Sequence, residues 1–381
     1  MNRRRYLAPW GRAEVAAHTQ GNEADRAKIL AALEGKPAIY HCVSRVVDRG
    51  FRLGQAEKEE FVRRMRRLER FCRVRILTYC VMSNHFHILV EVPERPQQDP
   101  GDAELLEHLR TLYGGRKLAE IRWELEHYRS QGNHRAAEAL RQRLLRRMWD
   151  LSVFLCELKQ GFSRWFNDRN ERKGYLWEDR FKSVLVEDGH AARVVAAYID
   201  LNPVRAGMVG AAGDYRWSGY AEAVAGKQRA REGLRQVMLE RELARADASV
   251  ALRVVADWKK VLAGYRGLMA DPSPPAASRG QMGAALGGAG AGNPSAAKRP
   301  HRGRQRESGG RGVMSETEML RRKVRYFVDG LVIGSKGFVD AVFGLTKSRF
   351  SAGRPSGART MLRVKTPLRT MRALRVRSYG G

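Results

Sequence analysis

The sequence predicts an α+β fold: a ferredoxin-like split β-α-β sandwich, in which an antiparallel sheet carries helices on one face, with a helical insert and a small helical C-terminal extension. Three observations predict it. β-Forming residues alternate with period two over 38–46, 74–81 and 85–92, a segment of helical period separates the first run from the second, and a helix, a strand and a helix follow a long charged interval. The resulting order is β-α-β-β-(insert)-α-β-α.

Residues 1–35 form a charged, basic lead-in. Ala38-Ile39-Tyr40-His41-Cys42-Val43-Ser44-Arg45-Val46 then reads as the first strand. Over 56–71, Phe61, Met65, Leu68 and Phe71 recur at helical spacing among charges, which gives an amphipathic helix able to cover a sheet face. Val74 to Val81 and His85 to Val92 are the next strands, joined by Met82-Ser83-Asn84, whose Ser and Asn favour a turn. From about 96 to 150 the charged, helix-favouring runs Leu118–Tyr128 and Ala136–Met148 predict an inserted helical hairpin without chemistry of its own. Leu151 to Phe166 lines up Phe154, Leu155, Leu158, Phe162 and Phe166 as a helix, Phe181 to Glu187 reads as a strand, and a helix runs from Gly189 or His190 to about Leu201.

The main domain is therefore expected over 36–225, with a helical extension over 226–270. Residues 271–312, rich in Gly, Pro, Ala, Ser and Arg, predict a disordered basic linker. Beyond it, the basic region 313–381 offers two short helices, Glu316 to Val328 and Lys336 to Phe343, with Ser335 placed to cap the second. No acidic residue follows Asp340, so this end carries a possible footprint for phosphates as well as an ordinary solvated basic surface.

With 71 Lys and Arg against 41 Asp and Glu, the net charge is +30, which predicts a polyanionic partner, nucleic acid above all. No stretch reaches the roughly 20 apolar residues of a spanning helix, and no apolar run follows Arg3, Arg4 and Arg5, so the expected location is cytoplasmic with no membrane partner. Cys42, Cys72, Cys80 and Cys156 form no Cys-x-x-Cys pair, which argues against a zinc ribbon or a disulfide framework. The Walker pattern is absent, and no nucleotide cofactor is expected.

Along His85 to Val92, Phe86, Ile88, Val90 and Val92 share one face of the strand and His85 and His87 the other. Two imidazoles projecting in parallel from a rigid strand suit two nitrogen ligands of one divalent ion; the same pair also suits a merely polar strand face. On the later helix, Tyr198 and Asn202 stand one turn apart, so an amide oxygen could complete a metal site beside a tyrosine hydroxyl. Ordinary alternatives are a packing tyrosine and an Asn-Pro helix start.

At these residues the chain resembles the IS200-like single-tyrosine transposases, whose histidine-hydrophobe-histidine motif gives the HUH class its name, and within them the REP-associated tyrosine transposases of bacteria. His85-Phe86-His87 and Tyr198-Ile199-Asp200-Leu201-Asn202-Pro203-Val204-Arg205-Ala206-Gly207 carry the resemblance, supported by Tyr40-His41, Gly174-Tyr175-Leu176-Trp177-Glu178-Asp179-Arg180-Phe181-Lys182 and Tyr215-Arg216-Trp217-Ser218-Gly219-Tyr220. It spans about residues 37–221, interrupted by the insert. The resemblance implies Tyr198 as nucleophile, and His85, His87 and Asn202 as ligands of Mg²⁺ or Mn²⁺. It further implies nicking and rejoining of hairpin-bearing single-stranded DNA through a 5′-phosphotyrosine link, with transposition or REP-element mobilisation as the outcome. A free phenol has a pKa of about 10, so such a tyrosine needs an adjacent cation or base.

Arg180, Lys182, Trp177 and Arg205 are candidate DNA contacts through charge and stacking. Tyr175 is a reserve nucleophile, and His41 is either a fourth polar group near the site or a structural histidine outside the ligand set. Two other readings stay open: an HUH replication initiator or relaxase, and a non-catalytic nucleic-acid-binding protein. The sequence does not choose between monomer and homodimer.

Overall fold

The computed structural model describes residues 38–239, 257–270, 313–347, 350–351 and 353–372. The basic lead-in, the linker over 271–312 and the last nine residues lie outside the described residues.

Strand β1 (Ala38–Arg45), helix α1 (Gln55–Phe71), strand β2 (Arg75–Val81) and strand β3 (His85–Val92) form the expected opening. β1 pairs antiparallel with β3, and β3 with β2. Three helices follow in the insert, α2 (Asp102–Leu109), α3 (Gly115–Ser130) and α4 (His134–Leu145), one more than a hairpin needs. Next come α5 (Leu151–Arg169), capped by Asp150, β4 (Lys182–Val186), α6 (His190–Asp200) and the short α7 (Asn202–Arg205). Helices α8 (Gly219–Val224), α9 (Gln228–Met238) and α10 (Trp258–Met269) complete this part.

The C-terminal region departs from the expected pair of helices. Glu316 to Val328 breaks into α11 (Glu316–Leu320) and α12 (Tyr326–Asp329), with Arg321, Arg322, Lys323 and Arg325 at the break, where consecutive like charges oppose one continuous helix. Strand β5 (Val332–Gly334) precedes α13 (Lys336–Leu345), whose Phe338 N–H is capped by the Ser335 hydroxyl at 3.2 Å as expected. Strands β6 (Arg359–Thr360) and β7 (Arg369–Thr370) close the region. All seven strands form one sheet in the order β2-β3-β1-β4-β5-β7-β6.

The α+β class stands as the sequence predicts, and two features correct its details. β5 runs parallel to β4, so the sheet is mixed, and helices cover both faces instead of one. The cause is visible in the strands: Tyr40, Cys42, Phe86, Ile88 and Val90 face the core under α1 and α5, whereas Ile39, Leu77, Leu89, Val184 and Val186 make the opposite face equally apolar. That second face is buried by α6, α8 and α9, with α10 packed on α6 and α9. On the first face, Phe61, Met65 and Phe71 of α1 are fully enclosed, each contributing roughly 1.5–3 kcal/mol by burial.

Helix α9 approaches β2 at Gly233, where an added Cβ would stand 2.5 Å from the Leu77 carbonyl and 2.6 Å from that of Ile76. Alanine gains about 1 kcal/mol of helix propensity over glycine, but the opposing atoms are sheet backbone and cannot rotate away. Overpacking costs typically 1–3 kcal/mol, so Gly233→Ala is expected to lose up to about 2 kcal/mol net; urea unfolding reads it, and a raised midpoint would contradict the packing described.

Asp200 ties this face together from full burial. Its carboxyl accepts hydrogen bonds from the Thr78 hydroxyl (2.8 Å), the Tyr265 hydroxyl (2.5 Å) and the Tyr220 backbone N–H (3.3 Å). Burial outweighs these bonds and raises its pKa to about 7 from 3.8. The folded state thus holds this proton where the unfolded chain has released it, so the group's contribution to stability falls as pH rises from about 4 to about 7 and is level above. A shift of that size corresponds to roughly 4 kcal/mol. Asp200→Asn is expected to remove this component from a stability-versus-pH curve; parallel curves for the two proteins would contradict it.

Candidate active site

β1 and β3 are adjacent in the middle of the sheet, and their register sets Val43 opposite His87 and Arg45 opposite His85. Directly opposed residues share a face, so His41, two residues before Val43, becomes a diagonal neighbour of His87. The three imidazoles form one row: ring centroids of His85 and His87 lie 5.0 Å apart, those of His41 and His87 5.1 Å. α6 packs across this face and brings the Tyr198 ring edge-on to both His87 (6.3 Å) and His41 (6.4 Å).

Hydrogen bonds fix where the imidazole protons are. Asn84 donates from Nδ2 to the Arg49 carbonyl, which turns its Oδ1 to His85 Nδ1 at 2.7 Å. Oδ1 only accepts, so His85 carries its proton on Nδ1 and keeps the lone pair on Nε2. His41 Nδ1–H donates to the Phe327 carbonyl at 2.7 Å, and His41 Nε2 lies 2.9 Å from His87 Nδ1.

The rings are held neutral. Burial, then the charges of Arg45, Lys323 and Arg205, lower the His85 pKa to about 3; burial, with Arg205 adding and the Phe327 hydrogen bond opposing, lowers that of His41 to about 4. His87 is driven well below its ordinary value by burial and by the neighbouring imidazoles and arginines. Neutral imidazole is the form that ligates a metal.

Asn202 opens α7 directly after α6, one turn from Tyr198. Its Nδ2 donates to the Ile199 and Tyr198 carbonyls at 3.1 and 3.4 Å. Among the described residues no three His, Cys, Asp or Glu side chains are placed to hold a metal together. His85 and His87 stand together on β3, whereas the contacts of Asn202 are with the end of α6; imidazole nitrogen and amide oxygen are both donors that divalent ions accept.

Tyr198 itself is only 4% exposed. Arg205 lies over its ring at 3.9 Å and donates to the Tyr198 and Leu320 carbonyls. The Phe327 ring packs against it at 4.5 Å, and the Tyr198 hydroxyl donates toward the Val324 carbonyl at 3.5 Å. Leu320, Val324 and Phe327 had no sequence signal as site residues, since they lie more than a hundred residues from Tyr198 in a region read as a satellite. His41 had a partial signal, its place beside Tyr40 in a motif the resemblance covers.

The candidate DNA contacts fare differently. Arg180 is exposed. Lys182 is half-exposed but paired with Asp329 at 3.1 Å. Trp177, half-buried, packs against Phe61, Phe86 and Phe162, and its Nε1–H donates to the Lys159 carbonyl. Arg205 lies beside Tyr198, with its guanidinium over that ring and donating to two carbonyls. Tyr175 is 89% exposed in the loop before Trp177.

Residues 36–100 match the family model described as transposase IS200 like. The matched span runs from β1 through β3 and contains His41, His85 and His87; Tyr198 and Asn202 lie beyond it. No curated protein matches the chain. Among solved structures, one described as the REP associates tyrosine transposase bound to a REP hairpin shares 15% identity, with 50% of this chain and 81% of that chain covered at a TM-score of 0.30.

Proposed function

We propose that this chain is a metal-dependent single-tyrosine transposase that nicks and rejoins hairpin-bearing single-stranded DNA, a reading supported by the match of residues 36–100 to the IS200-like transposase model. The observation that carries the reading is the Tyr198 ring edge-on to His87 at 6.3 Å, beside a second histidine whose Nε2 lone pair is unencumbered.

In this reading His85, His87 and Asn202 hold Mg²⁺ or Mn²⁺. Bound there, the ion would polarise the scissile phosphate and orient it. Tyr198 Oη attacks the phosphorus, the bond from phosphorus to the 3′-oxygen breaks, and the phenol proton is lost while the leaving 3′-oxygen takes one up. The products are a 5′-phosphotyrosine and a free 3′-OH. The phosphodiester energy stays in the new link, so another 3′-OH can reverse the step without a nucleotide cofactor. Arg205 keeps the ring in place through its cation–π contact and ties the end of α6 to α11 through the Leu320 carbonyl. The excess of basic over acidic residues supports a polyanionic substrate, with exposed Arg180 one of its contacts.

The test is incubation with labelled hairpin oligonucleotides from around the gene, with Mg²⁺ or Mn²⁺, followed by a denaturing gel. A band of protein mass that carries the label supports the reading. Tight binding without any such band, under either metal, favours the alternative of a non-catalytic nucleic-acid-binding protein.

A further inference from the structure

His41 reaches neither DNA nor metal in the reading above, yet it is wholly enclosed and both its ring nitrogens are engaged. The geometry points to His41 as the positioning residue that sets the tautomer of His87, and so decides which nitrogen that histidine offers to a metal; this rests on the metal-binding reading of the site. The chain of inference begins at Phe327. A backbone carbonyl only accepts, so the 2.7 Å bond from His41 Nδ1 puts the His41 proton on Nδ1. In the neutral ring Nε2 is then bare and can only accept. The atom 2.9 Å away, His87 Nδ1, must therefore be the donor. With its proton on Nδ1, His87 carries its lone pair on Nε2.

His85 reaches the same state by an independent route, through Asn84 Oδ1. The two histidines of the strand thus share one tautomer, each with Nε2 as ligand atom, although one is set by its chain neighbour and the other by a relay that starts in the C-terminal region. A ligating histidine commonly donates its second ring proton to an acceptor, and loss of that outer partner typically costs 10–100-fold in metal affinity. Here the partner is another imidazole, and what orients that imidazole is the Phe327 carbonyl, 286 residues away in sequence. The side chain of residue 327 plays no part in the relay, because its backbone oxygen does the accepting.

The experiment compares wild type, His41→Leu and His41→Gln. Each is prepared metal-free and selectively ¹⁵N-labelled at histidine, so that imidazole NMR reports the tautomer of His87 without any metal or activity. Mn²⁺ affinity is then measured by calorimetry. Wild type is expected to show His87 protonated on Nδ1. Leucine offers no acceptor, so His41→Leu should lose that single tautomer and bind Mn²⁺ about 10–100-fold more weakly. Glutamine supplies a carbonyl acceptor and an amide donor, and should restore both to near wild type; it also serves if the leucine variant does not fold. The proposal is overturned if wild-type His87 is protonated on Nε2, or if a folded His41→Leu keeps both the Nδ1–H tautomer and the wild-type affinity. Should wild type bind no Mn²⁺ at all, the metal reading of the site fails, while the tautomer comparison still decides the relay.

Discussion

Changing His85 and His87 together to Ala is expected to weaken Mn²⁺ binding by more than about 100-fold, since loss of an outer-shell partner alone carries roughly 10–100-fold. The two residues are the imidazoles that the fold keeps neutral, His85 through burial and the charges of Arg45, Lys323 and Arg205, and His87 through burial and its neighbours. Those same shifts mean that protons do not compete with a metal for the two imidazoles at neutral pH. Calorimetric titration on a variant shown to be folded by circular dichroism is the check. An affinity unchanged within a few-fold would mean that the strand histidines are polar core residues, and the site would lose its claim to metal chemistry.

Phe327→Ala is expected to raise the rate of covalent adduct formation by at least about tenfold while lowering thermal stability. Tyr198 is 4% exposed, and Phe327 packs on its ring while the Val324 carbonyl faces its hydroxyl. If Tyr198 is the nucleophile as proposed, the Phe327 ring and the Val324 carbonyl stand between its hydroxyl and a phosphate, and this part of the C-terminal region has to move aside. Removing a buried Phe ring costs typically 3–5 kcal/mol. Even a third of that, spent on the docked state of this segment, changes its open population about tenfold, since 1.4 kcal/mol is a factor of ten. The backbone carbonyl that His41 uses survives the substitution, so metal affinity should stay within a few-fold. A quenched-time-course gel reads the adduct; a rate that is unchanged or lower would show that the Phe327 ring does not limit access to Tyr198.

Much of this was legible in the residues. The strand carrying His85 and His87 announced itself by strict alternation, and alternation alone separated Phe86, Ile88 and Val90 from the two histidines. α1 and α5 showed through helical spacing of large apolar residues, and Ser335 stood where a cap was needed. The second covered face was harder, because Leu77, Leu89, Val184 and Val186 read equally well as ordinary members of strands with one buried face. The C-terminal strands were not legible at all. Leu331-Val332-Ile333 is too short for any period to be counted, and its pairing with β4 depends on a partner some 150 residues away in sequence. For the same reason, nothing local marked the Val324 and Phe327 carbonyls as neighbours of Tyr198 and His41. Trp177 and Arg205 are candidate DNA contacts by residue type; that one packs on Phe61, Phe86 and Phe162 and the other on Tyr198 is visible only in three dimensions.

The central claim is that Tyr198, and not another of the chain's tyrosines, becomes linked to DNA. Its most direct measurement is peptide mapping by mass spectrometry of the adduct formed with a hairpin oligonucleotide and Mn²⁺, after nuclease trimming to a short stub. The prediction is a 5′-phosphonucleotide on the peptide containing Tyr198, and complete loss of the adduct in Tyr198→Phe. A nucleotide found on the exposed Tyr175, or an adduct that persists in Tyr198→Phe, would contradict the account.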